Sequence, residues 1–102
     1  VTALVVNGKV GIAAVPGEPC LAMQTRWKKE AGVEHAFFFG YTQSTADAWP
    51  GYIPDLRSAA YGGYGADVST NIEVGAAERI MDRHLVQLYE LKGMWRTEPG
   101  KP

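Results

Sequence analysis

The spacing of apolar and polar residues predicts most of the regular structure of this chain. Residues 1–6 and 9–15 are two apolar runs, and Asn7 and Gly8 stand between them. An Asn-Gly pair between such runs is the strongest short-range signal for a β-hairpin, because both turn positions require a positive φ angle. The sequence therefore predicts an N-terminal hairpin, whose second strand is ended by the Pro-Gly pair at 16–17.

Two amphipathic helices are predicted farther along the chain. The first covers about 19–31, where an apolar stripe recurs at helical spacing. That stripe consists of Cys20, Met23, Trp27 and Ala31. The second covers about 72–92, where apolar positions follow the i, i+3, i+4, i+7 pattern. Thr70 and Glu73 have the spacing of a capping box before this helix, and Gly93 stands where a C-terminal cap is expected.

A phenylalanine-rich strand and two aromatic loops lie between these helices. Three consecutive phenylalanines within 35–40 do not alternate with polar residues, so the strand is predicted to be buried on both faces of its sheet. A short helix is predicted at about 55–60 and a glycine-rich, aromatic loop at 61–65, and residues 41–52 before them form a long loop. Loops of this length in a small domain tend to be functional. Together the elements predict an α+β (mixed α/β) fold with a partial sheet covered by helices.

Length and composition are those of one ordinary globular domain. The chain has 102 residues, 46% of them hydrophobic and 21% charged, with a net charge of −1 and one cysteine. Residues 1–96 are predicted to form a single domain or the C-terminal segment of a larger one, followed by a flexible tail at 97–102. No basic run indicates nucleic-acid binding. No apolar run approaches the ~18 residues that a membrane span needs, so no transmembrane segment is expected.

The residues that could carry chemistry stand at the ends of predicted strands. Glu18 follows the second strand, at the sheet edge where open α/β sheets bind ligands. The alternative is structural, because a glutamate in the first turn of a helix stabilises the helix dipole. Tyr52 stands in a constrained turn, where its phenol could donate a hydrogen bond, act as a base, ligate a metal or simply pack. His35 and His84 are predicted to be structural, the second on the apolar face of the last helix.

Several pieces of the sequence occur in an order that is similar to one known family. They are Val-Gly-Ile-Ala-Ala-Val-Pro-Gly-Glu-Pro (10–19), a Phe-rich strand ending in Gly-Tyr (40–41), Gly-Tyr-Ile-Pro (51–54), Tyr-Gly-Gly-Tyr (61–64) and a closing helix. In this order they resemble the last part of the catalytic domain of the neutral/alkaline (non-lysosomal) ceramidases. The resemblance covers most of the chain, and Pro-Gly-Glu-Pro and Gly-Tyr-Ile-Pro are its specific pieces.

The resemblance implies a zinc-dependent amidase that cleaves an N-acyl bond in a lipid-like amide. Zinc in that family is held by two histidines, a glutamate and a tyrosine, and a serine near the metal takes part in catalysis. By resemblance, Glu18 matches the zinc glutamate and Tyr52 the zinc tyrosine, whereas the histidines and the serine would belong to upstream sequence. The aromatic loops supply candidate substrate or ligand contacts at Tyr41, Trp49 and Tyr64.

Two hypotheses from different classes follow. In the first, the chain is the C-terminal segment of a ceramidase-like amidohydrolase and is inactive by itself. In the second, it is a standalone non-catalytic α+β module that self-associates, binds a partner or binds a small ligand. Both predict a homo-oligomer or a missing upstream chain, because a strand buried on both faces needs more cover than a chain of this size supplies.

Overall fold

The computed structural model describes residues 2–43 and 49–94, so the predicted tail at 97–102 lies outside the described residues. The described residues form helices and a partial mixed sheet, which confirms the predicted α+β fold. In chain order the elements are β1 (Thr2–Val6), β2 (Val10–Ala14), β3 (Glu18–Pro19), α1 (Leu21–Glu30), β4 (His35–Phe39), β5 (Tyr52–Ile53), α2 (Leu56–Tyr61) and α3 (Ala76–Leu91). No helix in these ranges is long and apolar enough to cross a membrane.

The main sheet has the strand order β1-β2-β4. Strands β1 and β2 form the predicted antiparallel hairpin, and both turn residues have positive φ, 53° at Asn7 and 68° at Gly8. Strand β4 pairs with β2 in parallel, which requires a crossover connection, and α1 lies in that connection. The carboxyl ends of β2 and β4 therefore meet at one edge of the sheet, where Ala14 pairs with Phe39.

Both long helices pack on the same face of this sheet. A Cβ atom added at Gly11 of β2 would lie 3.6 Å from Trp27 of α1 and 3.6 Å from Leu88 of α3. Both helices therefore lie within ordinary contact distance of the sheet face that Gly11 occupies. The buried core consists of Ala13, Val15, Met23, Trp27, Ala31, Ile53, Ala77, Met81, Leu85 and Leu88.

His84 is a core residue, as its place on the apolar face of the last helix predicts. Its side chain is 0% exposed. Its two ring nitrogens lie 2.9 Å from the Ile80 carbonyl oxygen and 3.2 Å from the Ala14 carbonyl oxygen. Burial lowers the pKa of His84, and these two carbonyls oppose that effect. The ring thereby joins α3 to the end of β2.

The prediction that the phenylalanine strand is buried on both faces is wrong. Phe38 packs against the core, but Phe37 is 47% exposed and Phe39 is 50% exposed. The reason is that α1 and α3 cover one face only, so every second residue of β4 points away from them. The strand register places the exposed phenylalanines beside other apolar residues. We call this set the outer sheet face; it consists of Leu4, Val6, Val10, Ile12, Phe37 and Phe39.

Helix α3 begins later than its apolar pattern predicts. It starts at Ala76 instead of residue 72, because Gly75 has a φ angle of 91°, which is incompatible with a helix. The predicted capping box is also wrong, since no side chain caps this helix. Thr70 instead donates its hydroxyl to the Tyr52 carbonyl oxygen at 2.6 Å. The C-terminal end is as predicted, with Gly93 at a φ angle of 69°.

Candidate functional site

The two predicted metal ligands are neighbours on a small second sheet. Strands β3 and β5 pair in parallel, and their register sets Glu18 directly opposite Tyr52. The backbone N–H of Glu18 donates to Gly51 at 2.8 Å, and that of Cys20 donates to Ile53 at 3.1 Å. Paired strands lie about 5 Å apart, so the two side chains start from adjacent points. Since Glu18 belongs to β3, and α1 begins only at Leu21, the helix-dipole role for Glu18 is wrong.

Glycines allow the backbone segments to converge around this pair. Gly17 has a φ angle of 93°, and a Cβ atom there would lie 2.7 Å from the Gly51 carbonyl oxygen. A Cβ atom at Gly40 would lie 2.6 Å from the Pro19 ring. Both distances are too short for real contacts, so each position requires glycine. The Pro-Gly-Glu-Pro turn is therefore fixed by close packing against the residues that follow β4 and precede β5.

Tyr41 contacts Glu18 directly. Its hydroxyl donates a hydrogen bond to Oε1 of the Glu18 carboxylate, and this bond raises the pKa of Tyr41. Its backbone N–H donates to the Gly17 carbonyl oxygen at 2.9 Å. Its ring packs on Trp49, with 5.5 Å between the ring centroids. The structure thus brings three predicted site residues together at the end of β4.

Tyr52 and Tyr64 form the other half of the site. Their rings meet edge to face with centroids 5.3 Å apart, and the Tyr52 hydroxyl donates to the Tyr64 hydroxyl at 3.5 Å. This hydrogen bond, followed by desolvation and the charge of Glu18, raises the pKa of Tyr52 to about 12. At neutral pH the free side chain is therefore a phenol, and a phenolate here requires a bound cation to lower its pKa.

These side chains line an open cleft of about 750 Å³. Four of the five predicted site residues line it, namely Glu18, Tyr41, Tyr52 and Tyr64. The fifth, Trp49, supports the ring of Tyr41 instead. The histidines lie elsewhere: His35 opens β4 at the opposite end of that strand, and His84 is in the core.

The structure adds cleft residues that the sequence reasoning missed. Arg57 lies over the ring of Tyr61, 5.7 Å from its centroid, and both line the cleft with Cys20. Burial raises the pKa of the Cys20 thiol. At Gly65 a Cβ atom would lie 3.3 Å from the Tyr52 ring, so this glycine packs against a site residue. The closely spaced glycines and tyrosines at 61–65 were the sequence signal that this segment lines the cleft.

The donor set of the cleft fits part of a zinc site. A carboxylate and a phenol both supply oxygen ligands, and a protein zinc site usually has three or four protein ligands. Among residues 2–43 and 49–94, no group of three or more His, Cys, Asp or Glu side chains could hold a metal ion. Glu18 and Tyr52 thus place a carboxylate and a phenol on one cleft, and the described residues do not complete a set of metal ligands around them.

Comparisons with protein-family models, with curated proteins and with solved structures found no match to this chain. The ceramidase resemblance therefore stays a prediction from the sequence.

Proposed function

We propose that this chain supplies Glu18 and Tyr52 to the metal site of a zinc-dependent amidohydrolase that residues outside the chain complete. The observation that carries the proposal is the register of β3 and β5, which sets these two residues opposite each other. They are far apart in sequence, and the resemblance selected them as ligands without reference to any contact between them. Their juxtaposition in one cleft is what a shared metal site requires.

The cleft also suits an amide with an apolar portion. Leu21, Ile53 and the tyrosine rings give it apolar walls, and Glu18 and Arg57 add a few charged groups. Ligand sites commonly combine mostly apolar walls with a small number of polar groups that fix orientation. When bound, zinc would polarise the amide carbonyl and activate a water molecule for hydrolysis. Glu18 and Tyr52 of this chain would ligate the zinc. The tyrosine rings of the cleft would hold the acyl or amine portion of the amide substrate.

The test is zinc content and N-acyl amide hydrolysis in the natural protein that contains this sequence. We expect Glu18→Gln and Tyr52→Phe to lower both the zinc content and the hydrolysis of N-acyl lipid substrates. Glu34→Gln and Tyr61→Phe are the matched controls, because Glu34 is exposed outside the cleft and Tyr61 lines it beyond the proposed ligands. We expect both controls to retain zinc. A natural protein without zinc, or full zinc occupancy in Glu18→Gln, would contradict the proposal.

A second candidate is a module that self-associates through the outer sheet face. The observation that favours it is the half-exposure of Phe37 and Phe39 on β4, the edge strand of that face. A half-exposed phenylalanine leaves roughly 100 Å² of ring uncovered, so the face exposes several hundred Å², a size typical of interaction patches. Two copies packed sheet to sheet would bury about the 1,000 Å² that a specific interface requires.

Sedimentation equilibrium of the 102-residue chain tests this second candidate. We expect a dimer that Phe37→Lys converts to a monomer, because an inserted lysine would be desolvated within the contact. Leu56→Lys is the control, since Leu56 is similarly exposed but lies on α2, away from the sheet. A monomeric wild-type chain would rule this candidate out.

A further inference from the structure

We propose that Tyr41 is a positioning residue that orients the Glu18 carboxylate for metal binding, and that it does not primarily contact substrate. This inference rests on the proposed function, because it assigns a role to Tyr41 within the same metal site. It differs from the sequence-based prediction, which places Tyr41 among the substrate or ligand contacts.

Tyr41 is attached to the Glu18 turn at two points. Its backbone N–H donates to the carbonyl oxygen of Gly17, the residue directly before Glu18, at 2.9 Å. Its hydroxyl donates to Oε1 of the Glu18 side chain. One residue thus binds both the main chain that carries the glutamate and the carboxylate itself, which fixes where the carboxylate lies relative to β3.

The backbone conformation of Tyr41 supports a positioning role. Its φ angle is 60°, in the left-handed region that residues other than glycine rarely adopt. Such conformations persist only where surrounding contacts hold them, and they cluster at functional sites. Here the contacts are the hydrogen bond to Gly17, the hydrogen bond to Glu18 and the packing of the ring on Trp49, whose centroid is 5.5 Å away.

The chemistry of the carboxylate explains why such a partner would matter. A carboxylate can accept a hydrogen bond at one oxygen and ligate a metal through the other. Groups that hydrogen-bond to metal ligands typically orient them, and their loss weakens metal binding about 10- to 100-fold. Glu18 is on an open cleft, where an unrestrained side chain would lose rotamer freedom on binding a metal. The Tyr41 hydroxyl restricts that freedom in advance.

The other cleft tyrosines provide a contrast. Tyr64 receives the hydrogen bond of Tyr52, and Tyr61 packs against the Arg57 guanidinium. Tyr61→Phe is therefore a matched control for Tyr41→Phe, since each variant removes one hydroxyl from the same cleft and retains the ring. Any effect specific to Tyr41→Phe then reports the bond to Glu18.

The first experiment measures zinc affinity in the natural protein by competition with a chelator. We expect Tyr41→Phe to weaken zinc binding about 10- to 100-fold and Tyr61→Phe to leave it unchanged. In amide hydrolysis at full zinc occupancy, we expect Tyr41→Phe to lower kcat with KM unchanged. A higher KM with unchanged kcat and zinc affinity would indicate a substrate contact and overturn the inference.

The second experiment needs no metal. Side-chain couplings of isotope-labelled glutamate in the 102-residue chain report the rotamers of Glu18. We expect couplings of one dominant Glu18 rotamer in the wild type and in Tyr61→Phe, and couplings averaged over several rotamers in Tyr41→Phe. Averaged couplings in the wild type, or one rotamer retained in Tyr41→Phe, would overturn the inference. If Glu18→Gln keeps its zinc, the proposed function fails, and the rotamer measurement still decides what Tyr41 does to Glu18.

Discussion

Single residues set the geometry of the cleft through close backbone contacts. The carbonyl oxygen of Gly51 accepts from the N–H of Glu18 at 2.8 Å, and Gly17 lies against the same carbonyl. The chain can make this approach because Gly17 has no Cβ and has a φ angle of 93°. A side chain at this position would separate the Glu18 turn from the segment that carries Tyr52.

We predict that Gly17→Ala destabilises the fold more than Gly8→Ala. Both glycines have positive φ, so each alanine carries a strain of about 1–2 kcal/mol. Only the Cβ at residue 17 also collides with backbone, at 2.7 Å from the Gly51 oxygen, whereas residue 8 has nothing within 4 Å. Overpacking of this kind adds about 1–3 kcal/mol. Urea unfolding of the two variants measures the difference, and equal losses would show that the turn at 16–19 can move freely.

The buried imidazole of His84 predicts a pH dependence of stability. Burial lowers its pKa in the folded state, so between the folded and unfolded pKa values the unfolded chain binds more protons. The contribution to stability is therefore fully present above the ordinary histidine pKa of ~6.5 and is lost as the pH falls through the lowered value. Denaturant unfolding measures the free energy of unfolding at each pH. We expect His84→Gln to reduce the dependence of that free energy on pH between roughly pH 7.5 and 5, a range that brackets the ordinary histidine pKa.

At the scale of elements, the sequence pattern predicts those features that depend on neighbouring residues in the chain, such as a turn or the buried face of a helix. Asn7 and Gly8 form the hairpin turn, and the stripe that contains Met23 and Trp27 is the buried face of α1. The start of α3 could not be predicted in this way, because its apolar period continues upstream of Gly75. The conformation of that glycine and the use of Thr70 by another element decide where the helix begins.

The site could be predicted residue by residue but not as an arrangement. Glu18 and Tyr52 were selected by motif, and four of the five predicted residues do line one cleft. Their register depends on contacts from outside both motifs, such as the N–H of Tyr52 donating to Ser69 at 3.0 Å. No spacing rule gives this pairing, because strands of two residues carry almost no pattern. The Tyr41 bond to Glu18 was missed for the same reason.

Thr70 holds β5 in place, and we predict that removing its hydroxyl loosens Tyr52. Thr70→Val preserves the shape and deletes the 2.6 Å hydrogen bond to the Tyr52 carbonyl. We expect a loss of about 1 kcal/mol in unfolding free energy and a change in the NMR chemical shifts of the Tyr52 ring. Thr2→Val, at an exposed position of β1, is the control and should change neither. An unchanged Tyr52 spectrum in Thr70→Val would show that the backbone hydrogen bonds of β5, to β3 and to Ser69, hold it without the Thr70 hydroxyl.

At the scale of the whole molecule, stability is distributed unevenly. Most of the buried core lies between the main sheet and the helices α1 and α3, and Ile53 is its contact on the cleft side. Helix α2, which lies on the cleft side, has no buried residue. Segments with few buried contacts open at lower free energy than the core.

We therefore predict that α2, on the cleft side, opens at a lower free energy than the core. Native-state hydrogen exchange should show faster exchange for the amides of α2 than for those of α3 and β2. A cation that binds both Glu18 and Tyr52 should slow exchange around β5 more than in α3, because it joins the two strands of the small sheet. Equal exchange in α2 and α3 under conditions of native-state opening would show that the molecule unfolds as one unit.

The position of Cys20 makes the cleft accessible to chemical labelling. It is the one cysteine of the sequence, it lies at the N-terminal cap of α1, and it lines the cleft. Because burial raises the pKa of its thiol, a disulfide reagent should react slowly at neutral pH and faster as the pH rises. A fluorophore attached there would be a single reporter next to Glu18, and a ligand that fills the cleft should protect the thiol from modification.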